Sequence, residues 1–468
     1  MRILLASLLA TAVALPAWAQ PLDPGQLRYH DLFKEMVETN TELSIGSCTA
    51  LAGKIQAHLK QAGFPDSDLH PFVADGHPKE GGLVAVLPGS DPKAKPILLL
   101  GHIDVVEAKP EDWTRDPFKL VEENGYFYGR GVADMKSLAA IWVDTMIRLK
   151  EEKFKHARTI KMALTCGEET ASAFNGAGYL AKNERALIDA EFAINEGGGG
   201  HLDPSGKPMI MTVQAAEKFP QDYNLLVTNP GGHSSRPVAK NAINQLAAGL
   251  VRISQYQFPI EATDITRGYF ARMAGRVGGE MGAAMSAFAK NPSDKAASDK
   301  LASDPNYNGI LHTTCIATML GGGHATNALP QRATANINCR IFPGTTPEQV
   351  REKLAELAGD PDIKVSLGAT RSDVPKGPQP LNPKVFGPVE KLTAKYWPGL
   401  PVVPQMSAGA TDGAFLTPVG IPTYGVSGIF MDADGSGAHG LNEHVRISSV
   451  YKGRDFLYDI VKIYANSK

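Results

Sequence analysis

The 468-residue chain holds only four cysteines, without a CxxC spacing, and no apolar run after the first twenty residues is long enough to cross a membrane. The first lack excludes a cysteine-type zinc site, and the second a span of the ~18–20 apolar residues that a bilayer demands. Excess charge is missing too. Lys and Arg number 47 against 49 Asp and Glu, a formal net charge of -2. With no basic stripe, nucleic acid is not an expected partner. No internal repeat is visible. The 43% apolar and 21% charged content is that of a globular chain, and its length predicts about two or three domains.

What is present begins with an export pattern. Arg2 precedes the apolar stretch Ile3 to Leu15, and Ala17-Trp18-Ala19 supplies a small-x-small cleavage site before Gln20. Residues 1–19 therefore read as a signal peptide, and the expected product is soluble, periplasmic or secreted. No cysteine near the cleavage point marks a lipid anchor. Export permits disulfides. Cys315 and Cys339 lie in two apolar, strand-like segments and are the favoured pair. Cys166, beside two glutamates, reads as a small buried packing residue.

Three apolar strand patterns each end in side chains that bind metals. Ile97 to Leu100 is an uninterrupted apolar run, as in a buried parallel strand, and His102 and Asp104 follow at its carboxyl end. Thr159 to Leu164 is followed by Glu168-Glu169, and Phe192 to Asn195 by Glu196. Ligand sites of open α/β sheets collect at such strand ends. Between them, Asn124-Gly125 reads as a hairpin turn, Asp134 follows in GRGVADMKS, and Met135 to Leu149 has helical spacing. A Glu-Glu pair alone is ordinarily a solvated helix face. In this company one carboxylate can hold a metal while its neighbour acts as a base, though the residues themselves do not rank Glu168 and Glu169.

The pattern changes after Val213. Strand, helix, two strands, helix and strand succeed one another, closing at Ile363 to Leu367. That order predicts a ferredoxin-like α+β unit over 215–372, inserted within an α/β domain made of 20–214 and 373–468. An Ala-, Gly- and Met-rich helical insertion near 258–307 is expected to enlarge it. A helical pattern also covers Leu32 to Ala62. The Pro-rich run Ser372 to Pro383 would be the return linker.

GHIDVV, NGYFYGRGVADMKS, TCGEET, NEGGG, PGGHSSRP and GAHGLNEHVRI occur in an order that resembles the M20 family of metallopeptidases, across nearly the whole chain after residue 20. The resemblance implies a zinc-peptidase-like catalytic domain, with a mainly parallel central sheet flanked by helices, and an inserted lid or dimerisation domain. It implies two divalent metal ions: Asp134 bridging, His102 and Glu196 on one, Glu169 and His439 on the other. Imidazole and carboxylate ligands suit Zn²⁺, while Co²⁺ or Mn²⁺ can occupy similar sets. Glu168 would be the general base, and Asp104 the partner that fixes the His102 tautomer. His439, flanked by glycines, is favoured over His444, which reads as a surface or outer-layer residue.

His233 resembles the inserted-domain histidine that meets the oxyanion, in some members across a dimer interface. Asn327 and Arg340 match positions that grip a substrate carboxylate, for which a guanidinium fork is suited. Ala410 to Gly413 resembles a further active-site loop. A small peptide or N-acyl amino acid is the implied substrate, cleaved beside a free carboxylate, and Glu at 196 leans that way. An aminopeptidase or amino-dipeptidase is the alternative. A binding protein on a peptidase fold is a remoter one, disfavoured because every ligand type is present.

Overall fold

A computed structural model describes residues 22–170, 174–368, 379 and 381–467. The signal-peptide segment 1–19 and most of the 372–383 linker lie outside the described residues.

The helical pattern of Leu32 to Ala62 divides into two helices, Pro24–Glu38 and Cys48–Gln61. Each has its own start signal. Asp23 and Gln26 exchange reciprocal side-chain-to-backbone bonds at the first, and the Ser47 hydroxyl accepts the Ala50 N–H at the second. Between them, Glu42 bridges to Val105 beside the central sheet.

That sheet has ten strands among the described residues and mixes directions, with parallel pairing at its centre. Ile97–His102 is buried at every position and lies parallel to both Ile160–Thr165 and Phe192–Asn195. Helices and loops cover both faces, which is why the run lacks polar alternation. His102 stands level with Thr165, so the three carboxyl ends open on one edge. Helix Lys136–Glu151 packs beneath this edge, its Trp142 Nε1 donating to the Leu100 carbonyl at 2.9 Å.

Asn124 and Gly125 take φ of +53° and +83°, the left-handed pair that a two-residue hairpin turn requires. The hairpin carries Val121–Glu123 and Tyr126–Tyr128, and His444–Arg446 adds a third strand. This pairing brings the segment around His439 back to the loop bearing Asp134.

A second, four-stranded antiparallel sheet has the order Thr314–Gly322, Arg332–Ile341, Phe219–Thr228, Lys364–Leu367. Helices Ala242–Ser254 and Pro347–Ala358 pack with it around a separate core that includes Tyr223, Leu246, Ile337 and Leu354. The helices of 258–307 do not join that core. Ile265, Phe270, Met273, Met285, Phe288 and Leu301 belong to the core of the larger unit, and Asp264–Val277 lies along Val402–Ser407. Composition identified the helices; their apolar faces chose the larger sheet.

Two disulfides are present. Cys315 and Cys339 sit directly opposite each other on adjacent strands and are joined. Cys166 departs from the sequence reading: it is bonded to Cys48, 118 residues away. The reason is tertiary. The first residue of helix Cys48–Gln61 abuts the turn leaving Ile160–Thr165, and both cysteines are buried.

Candidate active site

Each strand end delivers its side chain to one place. His102 is 1% exposed, with Nδ1 at 3.1 Å from the Asp104 carbonyl oxygen, Nε2 at 3.1 Å from Asp134 Oδ1 and 3.6 Å from Glu196 Oε1. The other Asp134 oxygen, Oδ2, lies 3.1 Å from His439 Nε2, which also reaches Glu169 Oε2 at 2.9 Å. Asp134 therefore faces one histidine with each oxygen. Ligand atoms of His102, Asp134 and Glu169 lie within 4.8 Å of one another, as do those of His102, Glu168 and Glu196.

The Asp104 carboxylate stands 3.6 Å from the His102 ring, farther than its own carbonyl. Its oxygens accept instead the backbone N–H groups of Glu168 and Glu169, at 3.4 and 3.0 Å. One buried carboxylate thus fixes the glutamate doublet, while its main chain orients the imidazole. His439 has a φ of +61°, a rare conformation for a residue with a Cβ, and glycines flank its loop. His444 does not enter the cluster. It packs against the rings of Tyr126 and Tyr128.

The electrostatics are those of carboxylates crowded against too little positive charge. Burial, with Asp134 and Asp412 nearby, pushes Glu196 up to about 7 against the pull of His102. Burial and the neighbouring Glu196, Asp412 and Glu169 raise Glu168 well above the usual carboxylate range. Burial opposes ionisation of Asp134, yet the hydrogen bonds from His102 and His439 hold it far below its ordinary value. Those bonds to Asp134 and Glu169 raise His439 to about 10. A set of N and O donors with convergent negative charge fits divalent cations.

Two residues beyond the sequence reading build the surroundings. Glu443, fully buried, accepts the backbone N–H of Gly131 (3.0 Å), Ala133 (2.8 Å) and Asp134 (3.0 Å), and the Arg130 guanidinium (2.9 Å). Arg130 also donates to the Gly440 carbonyl at 3.0 Å, so the loops of Asp134 and His439 are tied together. The only sequence signal was its place in GAHGLNEHVRI. Asp412, whose role the sequence left open, accepts Thr165 Oγ1 at 2.7 Å and Asn175 Nδ2 at 2.8 Å, which braces the start of the Glu168 turn.

The residues expected to meet the substrate, His233, Asn327 and Arg340, lie apart from these contacts, and only Arg340 is on the four-stranded sheet. His233 is exposed, its Nδ1 accepting the Ser235 hydroxyl at 2.8 Å. The Ser234 N–H donates to the Asn327 carbonyl at 3.0 Å, holding those two segments together. Arg340 lies on Arg332–Ile341 opposite Pro220 and Thr314, close enough to Lys218 to disfavour its charge.

Residues 98–463 match the profile of Peptidase family M20/M25/M40. The chain belongs to this family. It is an M20-type hydrolase, with relatives among both amidohydrolases and peptidases. The human N-fatty-acyl-amino acid synthase/hydrolase PM20D1 is 26% identical over 410 residues, 85% of this chain and 80% of that protein. Among solved structures, the M20 family metallo-carboxypeptidase Sso-CP2 of Sulfolobus solfataricus aligns with a TM-score of 0.69 at 21% identity, covering 95% of this chain and 100% of that one. YXEP of Bacillus subtilis, described as a dinuclear metal binding peptidase from the M20 family, has a TM-score of 0.58 at 13% identity, covering 93% and 97%. These two likenesses concern the fold.

Proposed function

We propose that this protein is an exported di-metal amide hydrolase that cleaves a peptide or N-acyl amino acid beside a free carboxylate. The observation that carries the reading is Asp134 facing His102 with one oxygen and His439 with the other. Such a carboxylate can serve two cations at once. His102 and Glu196 would hold one, Glu169 and His439 the other, probed first with Zn²⁺ and then with Co²⁺ or Mn²⁺. Paired ions supply a water acidified toward neutrality and a polarised carbonyl.

The chain's own groups do the rest. Glu168, next to the cluster and raised by burial, takes a proton from the attacking water and returns it to the departing nitrogen. Asp104 holds the backbone of that glutamate in place. Arg340 and Asn327 grip the substrate carboxylate, and His233 donates to the oxyanion. His233 is exposed and bonded within its own unit, which favours its serving a second copy of the chain in a homodimer. The 1–19 segment directs export to the periplasm or beyond, and two disulfides agree with an oxidising compartment.

The test is release of product from matched peptides: free acid against C-terminal amide, and free amine against N-acyl. Free acids and N-acyl substrates are expected to turn over, with amides slower by about tenfold or more, since a lost bidentate contact costs at least ~1.5 kcal/mol. Equal turnover of acid and amide sinks the carboxylate grip. Exclusive cleavage of free-amine substrates supports the aminopeptidase alternative.

A further inference from the structure

A cleft of about 950 Å³, its open mouth included, runs from the cluster along the larger sheet, and Asp134, Glu196 and Gln405 all line it. Strand register measures how far apart these side chains stand. Asn195, Gly425, Gln214 and Gln405 are level on four adjacent strands, Phe192–Asn195, Thr423–Gly425, Pro208–Glu217 and Val402–Ser407. Three spacings of ~4.8 Å put the Gln405 main chain ~14 Å from that of Asn195, the neighbour of Glu196. The far wall is held from outside. Helix Asp264–Val277 of the insertion lies along Val402–Ser407, and its Arg272 donates to the Val402 carbonyl. The strand pairing shifts register just after Gln405, and such irregularities re-aim side chains beside sites.

The wall mixes apolar and polar side chains. Met135, Leu138, Ile429, Phe430 and Val445 supply apolar surface. Most of the polar groups are already bonded within the protein. Thr212 Oγ1 donates to the Gly199 carbonyl at 3.1 Å, and Ser427 Oγ accepts the Ile429 N–H at 3.0 Å. Asp432 accepts Arg446 Nε at 2.7 Å, so these two opposite charges answer each other. His444 Nδ1 lies 3.1 Å from the Asn442 carbonyl oxygen, and His201 Nε2 3.5 Å from Thr212 Oγ1, with burial favouring the neutral form of His201. Gln405 and Ser436 differ. Among the described residues neither the half-buried Gln405 amide nor the Ser436 hydroxyl has a hydrogen-bond partner.

This balance selects among ligands. A hydrocarbon laid over Gln405 would strip water from an amide and return no bond. A charged end group would meet no unanswered opposite charge. A neutral group that both donates and accepts replaces that water in kind.

We propose that Gln405 is a specificity determinant for the acyl side of the substrate, reading a neutral hydrogen-bonding group such as a carboxamide at the end remote from the scissile carbonyl. The inference rests on the hydrolase reading above. With that carbonyl beside Asp134 and Glu196, the acyl part runs past the apolar residues of the wall and its end reaches Gln405. Amide then meets amide, Nε2 donating and Oε1 accepting. A glutaminyl residue with a blocked amino group presents this chemistry, as does the half-amide of a diacid.

The experiment measures kcat/KM of the metal-loaded protein for six N-acyl-phenylalanines. Their acyl chains, built on butanoyl or on hexanoyl, end in a carboxamide, a carboxylate or an isopropyl group, three ends of one shape. At the length that fits, the carboxamide is expected to exceed the other two by about tenfold, the worth of one or two hydrogen bonds. Gln405→Met keeps the reach of the side chain without its amide, and is expected to bring the carboxamide-to-isopropyl ratio to about one. Gln405→Asn, shorter by one methylene, is expected to move the carboxamide preference toward the longer chain. Thermal unfolding checks that both variants fold. Carboxamides no better than the other ends at both lengths overturn the role of Gln405. So does a carboxamide preference that survives in a folded Gln405→Met, or an unmoved length preference in Gln405→Asn. Each of these results, with turnover present, leaves the hydrolase reading standing. No turnover of any of the six substrates overturns that reading and the role of Gln405 together.

Discussion

Glu443 Oε1 accepts the backbone N–H of Asp134 at 3.0 Å, while its other oxygen takes Gly131 N–H and Arg130. A single buried carboxylate thereby sets the main chain of the residue that faces both histidines. Glu443→Ala would strand three N–H groups and a buried guanidinium, and is expected to cost about 3–5 kcal/mol of stability, as for a broken buried ion pair. Glu443→Gln keeps the shape and one acceptor oxygen. For that variant we expect a 10–100-fold loss of metal affinity with a folded chain, read by calorimetric metal titration beside thermal unfolding. Unchanged affinity in a folded Glu443→Gln would remove its positioning role.

The two glutamates of the doublet make different contacts and should fail differently. Glu169 reaches His439, whereas Glu168 groups with His102 and Glu196. Glu168→Gln is expected to lower kcat by about 10²–10⁴ with both metals retained by elemental analysis. Glu169→Gln is expected to lose metal. A Glu168→Gln protein with full activity would overturn the base assignment.

Metal removal carries a stability prediction. The emptied cluster leaves several carboxylates facing two histidines, and a cation that binds only the folded chain stabilises it by about 4 kcal/mol at a thousandfold excess over Kd. Chelation is expected to lower Tm and abolish turnover together, and Zn²⁺ to restore both. Loss of activity with an unmoved Tm would argue against ions held by this cluster.

The Cys48–Cys166 bond closes a 118-residue separation and ends two residues before Glu168. Replacing both cysteines by serine is expected to cost about 3–5 kcal/mol and to lower kcat even where the protein stays folded, because the Glu168 turn loses its tether. The Cys315–Cys339 pair, spanning 24 residues, should cost less and leave metal content intact. Denaturant unfolding and kcat of the two double variants decide this.

Lys218 is buried, with Nζ donating to the carbonyls of Gly309 and His312 and to Thr314 Oγ1. Burial, with Arg340 nearby, lowers its pKa from 10.5 to about 7. Between those values the unfolded chain binds more protons than the folded one, so this residue makes stability rise with pH across that window. Lys218→Met is expected to flatten the rise, which cannot exceed ~1.4 kcal/mol per pH unit. Urea unfolding of both proteins at about pH 7.5 and about pH 9 measures the difference.

The sequence by itself determined the parts that depend on neighbours in the chain. Apolar runs ending at His102, at the turn before Glu168 and at Asn195 were legible because a buried strand must be continuously apolar. Asn124-Gly125 was legible because few residues accept that backbone. Asp134, Glu196 and His439 stood out by residue type and order. Tertiary structure alone decided which distant groups meet. It joined Cys48 to Cys166, laid the 264–302 helices on the larger sheet, and turned Glu443 from one more acidic residue into the anchor of the Asp134 loop. It also showed the Asp104 carboxylate holding the glutamate doublet. Such pairings leave no local period or propensity in the sequence, since the free energy of a buried bond depends on the partner and on the water it excludes.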